Sequence, residues 1–513
     1  MEAGGGKPLF APARMSPRSR RGNMNKVRAA HFIGIAGAGM GPTAKLLRDS
    51  GVRISGSDAD IYPPISDFLR EQSIPCRTPY APENIPADAD LIVIGKNARL
   101  IPETNAEVAA AYASGKEICS FAEVLGRYSR GKENIVVAGS YGKSSSTALL
   151  AHCLEQAAGM LGAHCDPSFI IGAIPLTPSV SARWGRGNLF ILEGDEYPSS
   201  NTDQRAKFLH YHPAHLLITP LAHDHLNVFP TPRDYVAPFH DLMALPPSDA
   251  TVVVCLEGPL SGDFLSGVSR PVVTYGVHRG DFHAADIRYG ETTRFRIVGN
   301  GAHGIEIETT QLGEHNVQNI VGVAAFLLSR KLVPPDCLTA AIASFRGIKR
   351  RLDRKSERTS VPIFEGFGSS YDKARSAIAA MKLHFPQRRL VVVFEPHTFS
   401  WRNRAALSWY DDVFQGAGKV FIFEPAAQGA TTHDQVSQSE IVARVRSAGT
   451  DAEAISDPGQ AVQTIQNILA ADDAILLLSS GDLGGLIELV PAMAEQAFPT
   501  SPKPPTQGAA AMA

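Results

Sequence analysis

The stretch at residues 135–149 reads IVVAGSYGKSSSTAL: an apolar run, a glycine loop carrying Lys143 and Ser144, then a helix-forming segment. A loop of this kind grips phosphate. Backbone N–H groups and a lysine ammonium surround the terminal phosphates, and the hydroxyl after the lysine reaches a magnesium ion. The common spacing G-x-x-x-x-G-K-[ST] is not met, because Val137 stands at the first glycine position. The loop is the shorter Gly139-x-x-Gly142-Lys143-Ser144. Magnesium bound with a nucleotide takes a few hard oxygen ligands and rarely a full protein cage. Glu193 in ILEGDEY, with Asp195 and Glu196 beside it, closes one predicted strand downstream. His225 in LAHDHLNVF, with His223 and Asp224, closes another. A solvated acidic loop and a capping cluster are the plain readings of these segments; the upstream loop favours metal-side roles.

A second glycine cluster lies earlier, in HFIGIAGAGMG (Gly34, Gly37, Gly39, Gly41), between a predicted strand and a helix. Such a turn lets backbone N–H groups approach a diphosphate at a helix N-terminus. Asp58 ends the next predicted strand, where a carboxylate can reach a ribose hydroxyl. A dinucleotide site, a nucleotide-sugar site and a ligand-free tight turn all fit this loop.

The elements that must position these residues alternate between short apolar runs and helical patterns, the rhythm of a parallel sheet with crossover helices. Nine runs read as strands: HFIGIAG, DLIVIG, NIVVAGS, LFILEGD, HLLITP, TVVVCL, RLVVVFEP, KVFIFEP and AILLLSS. Most are nearly continuous in apolar residues, as strands covered on both faces are. HFIGIAG, NIVVAGS and RLVVVFEP look like the opening strands of separate α/β units. Polar joints near residues 129–131 and 354–360 then divide the chain into domains at 26–130, 131–355 and 356–497. Residues 1–25, rich in Gly, Pro and Arg with no apolar h-region, read as a disordered extension, and 498–513 as a disordered tail.

A chain of 513 residues exceeds one hydrophobic core. Its 44% apolar and 19% charged residues describe an ordinary globular balance. A net charge of -2 lacks the basic footprint of sequence-independent nucleic-acid binding. No run approaches the ~20 apolar residues of a membrane span. Six scattered cysteines, with no C-x-x-C pair, speak against a disulfide framework or zinc site and suit a reducing compartment.

The loop and its companions resemble the Mur ligase family, cytoplasmic enzymes that add amino acids and peptides in peptidoglycan synthesis. GSYGKSSST resembles the family's G-T-x-G-K-T-T loop, ILEGDEY its E-A-D-E segment, and the Asp-His of LAHDHLNVF its second-metal histidine. GEHNVQN resembles G-x-H-N-x-x-N, and FRGIKRRLD resembles F-x-G-x-x-R-R-x-[DE]. The resemblance implies three α/β domains: an N-terminal Rossmann-like domain for a UDP-muramoyl substrate, a central P-loop ATPase, and a C-terminal Rossmann-like ligase domain. It implies ATP and Mg²⁺ as cofactors, with Lys143, Glu193 and His225 in catalysis and Ser144, Glu193 and His225 toward the metal. ATP contacts carry over to Gly139, Ser140, Gly142, Lys143, Ser144, Ser145, His315, Asn316, Asn319, Arg350 and Arg351. The first loop then reads as a uridine-diphosphate site with Gly37, Gly39, Met40, Ser57 and Asp58.

Where the family carries a carbamylated lysine this chain has Phe239, which resembles the branch acting on UDP-N-acetylmuramate itself. That branch has two acceptors, L-alanine and the recycled tripeptide L-Ala-γ-D-Glu-meso-diaminopimelate. SGSDADIYPP and GDEYPSSNTDQRAKFLHYHP resemble the peptide-recycling enzyme, so the short peptide is the expected acceptor and L-alanine the alternative. A monomer or weak homo-oligomer is expected, without nucleic-acid or membrane partners. One motif departs: the family's D-D-[FY]-A-H-H-P reads here as EGFGSSY, residues 365–371, with both histidines gone. Glu365 is the candidate substitute, and His397, Arg402, His433 and Asp434 are further polar groups of that domain. The same departure leaves a non-catalytic nucleotide-sugar binder as the rival of another class. A simple P-loop phosphotransferase would leave the first domain unexplained. Lys143→Ala is expected to abolish ATP turnover, followed as phosphate release, while UDP-sugar binding by calorimetry stays intact; normal turnover refutes the role of that lysine.

Overall fold

The computed structural model describes residues 27–59, 61, 65–225, 228–299, 302–424 and 435–500. The extension at 1–25, Tyr62, Pro63 and Pro64 of the recycling-type loop, His433 and Asp434, and the tail from 501 lie outside the described residues.

Three sheets stand in chain order. The first has five parallel strands in the order Cys76–Arg77, Arg53–Ser57, Ala29–Ile33, Leu91–Ile94, Glu117–Cys119. The central one has ten. Parallel strands Val252–Cys255, His215–Ile218, Glu133–Ala138, Leu189–Glu193 and Ser168–Ile170 form its middle, and an antiparallel meander over 282–309 extends one edge. The third has six strands, with Ile363–Phe367, Asp473–Ser479, Arg389–Phe394, Lys419–Phe423 and Ala452–Ile455 all parallel. All nine expected strands are present.

Each sheet is covered on both faces, which is why its strands lack an alternating polar side. Leu91 and Val93 pack into one cluster and Ile92 and Ile94 into another. Ile135 and Val137 face away from Val136 and Ala138 in the same manner. In the third sheet Val392 and Phe394 separate from Val391 and Val393.

Two expected boundaries shift. Strand Arg351–Arg354 pairs antiparallel with Ile363–Phe367, so the third domain begins near Arg350 rather than at 356. Backbone pairing decides this, and the polar composition of 354–360 marks only a turn inside the domain. Residues 498–500 are not tail either. Thr359 bridges Pro499, and the Thr500 N–H donates to the Arg358 carbonyl at 3.0 Å.

The first two domains are welded along a seam. Leu46, Ala122 and Leu125 of the first share one cluster with Phe208 and Tyr211 of the second. Asn201 Nδ2 donates to the carbonyls of Asn97 and Leu100, both at 3.0 Å. The third domain meets the second through His384, which accepts from the Gly313 N–H at 2.8 Å and lies 2.7 Å from the Gly290 carbonyl.

Within the first domain Glu107 is fully buried and tied to four groups. Ser57 Oγ donates at 2.7 Å, Asn84 Nδ2 at 3.0 Å and the Ala81 N–H at 2.8 Å, while His31 Nε2 lies 2.8 Å away. Burial alone would raise the Glu107 pKa, but His31, Ser57, Asn84 and Ala81 together bring it below its ordinary value. A carboxyl depressed on folding lends stability above its unfolded pKa, about 4.3, and loses it as pH falls through the folded value. Glu107→Gln is therefore expected to be less stable than the parent at neutral pH, and its stability, followed by near-UV signal in denaturant, to fall less steeply below about pH 4.3. Equal slopes refute the role of Glu107.

Candidate active site

Strand Glu133–Ala138 lies inside the central sheet between His215–Ile218 and Leu189–Glu193, so the loop that follows faces both neighbours. Helix Lys143–Leu161 starts at the end of the loop and leaves its first N–H groups without intrahelical partners, a site suited to phosphate. Two glycines allow the loop its course. A Cβ on Gly139 would stand 2.2 Å from Thr219 Oγ1, and one on Gly142 (φ +84°) 2.2 Å from Asn319 Oδ1. Ser140 pins the loop: its Oγ donates to the Ala222 carbonyl at 2.7 Å and accepts the Ala222 N–H at 2.8 Å.

Two linked polar sets surround the loop. Lys143 Nζ donates to the Gly139 carbonyl and, at 2.9 Å, to Glu196 Oε2. Glu196 is buried, and its other oxygen accepts from the Tyr235 hydroxyl at 2.9 Å, with His225 Nε2 at 3.5 Å. The second set joins Ser144 Oγ to Glu193 Oε1 at 2.7 Å and the Gly172 N–H to Glu193 Oε2 at 2.6 Å. Burial would lower the Lys143 pKa; Glu196, Asp195 and Glu193 more than offset it and the ammonium is held above its usual range. Burial raises the Glu193 pKa, against the hydrogen bonds from Ser144 and Gly172 and the Lys143 charge.

The hydroxyl of Ser144 and the carboxylate of Glu193 converge as two hard oxygen donors beside the phosphate loop. That set fits Mg²⁺, which takes one or two protein oxygens and completes its shell with phosphate and water. Among the described residues no three His, Cys, Asp or Glu groups gather as a metal cage. His225 borders Glu196 rather than Glu193, stacked edge-on to Tyr197 at 4.9 Å between ring centroids. Its φ of +55° is strained for a residue with a Cβ, and the sheet-end loop holds it there. Phe239 is fully buried against Phe208 and Tyr235, at 5.3 and 5.5 Å between centroids.

On the nucleotide side, Asn319 accepts from Ser146 Oγ at 3.3 Å, and its own amide donates to Asn316 Oδ1 at 3.3 Å. His315 is exposed next to them at the start of helix Glu314–Ser329, and Ser145 is half-buried in the first turn of Lys143–Leu161. Arg351 is exposed at the cleft, where its positive charge acts on His315 and Glu193. Arg350 is engaged within the third domain. Its guanidinium donates to Glu365 Oε1 at 2.8 Å, to the Ser480 carbonyl at 3.2 Å and to the Gly481 carbonyl. Glu365 also accepts from Lys355 Nζ at 2.9 Å and is buried, so it is spent on the sheet edge and not presented to the cleft.

In the first loop, Met40 and Ser57 are buried, and Ser57 donates to Glu107. Asp58 braces the turn by accepting from the Ala36 N–H and the Tyr80 hydroxyl, each at 2.8 Å. Gly37 and Gly39 carry the turn into helix Met40–Asp49.

A phosphate loop in a central α/β domain, a second glycine loop in the domain before it and a third α/β domain at the cleft define an ATP-dependent ligase of three domains. The Mur ligase family, catalytic domain, matches residues 29–133; the Mur ligase middle domain matches 137–327; the Mur ligase, glutamate ligase domain, matches 350–481. The chain belongs to the Mur ligase family, whose members form amide bonds with ATP and Mg²⁺. It is 30% identical to the UDP-N-acetylmuramate–L-alanine ligase of Halorhodospira halophila, over 94% of this chain and 96% of the relative. The ligase of the same name from Roseiflexus sp. is 30% identical over 88% of this chain and 96% of its own. The crystal structure of the UDP-N-acetylmuramate–alanine ligase of Thermotoga maritima shares the fold with a TM-score of 0.70 at 22% identity, over 91% and 98% of the two chains. The UDP-N-acetylmuramate:L-alanyl-γ-D-glutamyl-meso-diaminopimelate ligase from Neisseria meningitidis matches at 28% identity and TM-score 0.54, over 63% of this chain and all of that one. The curated relatives thus favour the L-alanine alternative over the recycling acceptor read from the sequence.

Sequence reasoning left Tyr235 out, and noted Glu196 only as a neighbour of Glu193. ILEGDEY offered a signal for Glu196, since alternation along an extended segment separates it from Glu193 and Asp195. Tyr235 lies on helix Pro232–Met243 at a spacing that reads as core, and nothing local marks its hydroxyl. Glu196→Gln keeps the shape and removes the charge that orients Lys143. A charge-assisted hydrogen bond of about 1.5–3 kcal/mol corresponds to a fall of roughly tenfold or more in kcat/KM for ATP; an unchanged or higher value refutes this role.

Proposed function

We propose that the chain joins UDP-N-acetylmuramate to the amine of L-alanine through an acyl phosphate. The observation that carries the ligase chemistry is the Lys143–Glu196 and Ser144–Glu193 pair of contacts at one phosphate loop. The L-alanine acceptor is supported by relatives of that name at 30% identity over nearly the full chain. A carboxylate oxygen of the sugar's lactyl group attacks the γ-phosphorus of ATP, and ADP leaves. The amine then attacks the acyl carbon, and inorganic phosphate leaves as the amide forms. Lys143 holds the transferring phosphoryl oxygens, and Tyr235 and Glu196 hold Lys143. Ser144 and Glu193 would hold Mg²⁺, which supplies further charge for the phosphoryl oxygens.

A second reading, the tripeptide acceptor, is favoured by the segments at 55–64 and 194–213 and by the Neisseria meningitidis relative. Domain three bears on both, because residues 365–371 lack the family's histidines while Lys373 Nζ donates to Ser369 Oγ at 3.1 Å. Phosphate release is expected with UDP-N-acetylmuramate plus L-alanine and to be at least about tenfold slower, in kcat/KM, with the tripeptide. Faster release with the tripeptide establishes the second reading, and no release with either supports the non-catalytic binder.

A further inference from the structure

The seam between the first two domains carries a cationic cluster that the phosphate loop does not use. Lys96 follows strand Leu91–Ile94, and the Gly95 N–H donates to the Ile33 carbonyl at 2.9 Å, so Lys96 stands beside the first glycine loop. Its ammonium lies 4.7 Å from the centroid of the Tyr197 ring. Lys207, from the second domain, lies 5.6 Å from the same centroid and pairs with Asp195. One aromatic ring therefore carries two ammonium groups, and the Asp195 charge acts on both of them and on Lys143.

The place matters more than the count. Lys207 Nζ is also 5.5 Å from the Phe121 ring, and a Cβ on Gly39 would stand 2.7 Å from that ring. On the other side Tyr197 meets His225, which borders Glu196, the partner of Lys143. The cluster thus lies on a continuous line of contacts from the first glycine loop to the second. Asn201 fixes this line by holding the carbonyls of Asn97 and Leu100. Lys96 is half-buried, and its pKa is lowered by burial and by the Lys207 charge, with Asp195 opposing. Two like charges kept together at a partly dry seam are stabilised by an anion that arrives between them.

We propose that Lys96 and Lys207, set over Tyr197, form a carboxylate subsite that receives the acid group of the nucleotide-sugar substrate on its way to the γ-phosphate. The inference rests on the proposed UDP-N-acetylmuramate reading and adds residues that bind and position its acid group. Lys96 supplies the principal contact, because Lys207 already shares Asp195. The diphosphate stays with the first glycine loop, so the subsite distinguishes an acid-bearing sugar from a neutral one.

The test compares UDP-N-acetylmuramate with UDP-N-acetylglucosamine, which has the same nucleotide and sugar but no lactyl carboxylate. Binding is measured by calorimetry on the full chain, with a non-hydrolysable ATP analogue present throughout. The parent protein is expected to prefer the acid-bearing ligand. Lys96→Met is expected to weaken UDP-N-acetylmuramate by about 10- to 100-fold and to leave UDP-N-acetylglucosamine unchanged, which also reports that the variant is folded. Lys96→Arg is expected to restore part of the preference, and in turnover Lys96→Met raises KM for the sugar and not for ATP. Unchanged affinity for UDP-N-acetylmuramate in Lys96→Met overturns the subsite, and equal weakening of both ligands assigns Lys96 to the diphosphate instead. Failure of the parent protein to bind either ligand overturns the functional reading itself.

Discussion

An ammonium brought out of water at a phosphate loop needs a partner before its substrate arrives, and Glu196 is that partner for Lys143. The cost of burying either charge alone is several kcal/mol in proteins, so the two side chains must be placed together by the fold. Glu196 in turn draws the Tyr235 hydroxyl and the His225 ring, and Tyr235 lies 2.7 Å from the Ser140 hydroxyl that pins the loop. The ends of three central elements are fixed by one carboxylate. Incoming phosphate competes with Glu196 and the Gly139 carbonyl for the same ammonium, so binding exchanges one set of charge contacts for another.

The seam between the first two domains extends this order to the sugar side. A shared apolar cluster holds the domains, and Asn201 sets the register of the loop after Leu91–Ile94. The two glycine loops are thereby kept at a constant relation, as a reaction between groups bound at each requires. The third domain is attached by fewer groups. His384 bridges it to the meander side, Arg350 at φ +64° leads into its first strand, and Leu352 at φ +59° bulges that strand.

The altered motif at 365–371 takes a definite structural meaning. Glu365 is consumed by Arg350 and Lys355, and it steadies the edge of the third sheet in place of reaching into the cleft. The same contact occupies the Arg350 guanidinium. Burial and the Glu365 charge push the neighbouring Asp353 up to about 6, with Lys355 opposing, so the two carboxyls of this edge share two cations. Arg351 and Lys373 are among the described third-domain groups whose charges meet the central domain, at His315 and Asp224.

Nine strands, the two glycine loops and the order of three α/β units were legible in the residues alone. Apolar runs without alternation report strands covered on both faces, and a glycine loop between strand and helix is a local pattern whose physics needs no distant partner. Lys143, Ser144 and Glu193 were legible for the same reason, since each ends or begins an element that the pattern already marks. Only the tertiary structure decided the rest. Tyr235 becomes a partner of Glu196 because a helix 39 residues away in the chain packs over the loop. Arg350 meets Glu365 because a backbone ladder, invisible in composition, starts at Arg351 and brings the two within 2.8 Å. The pairing of Lys96 with Lys207 across a domain seam follows from sheet order and interdomain packing. Sequence determines which chemical groups are available and which local turns they occupy; long-range packing sets which charges face one another, because Coulomb and hydrogen-bond energies depend on distances that no spacing along the chain encodes.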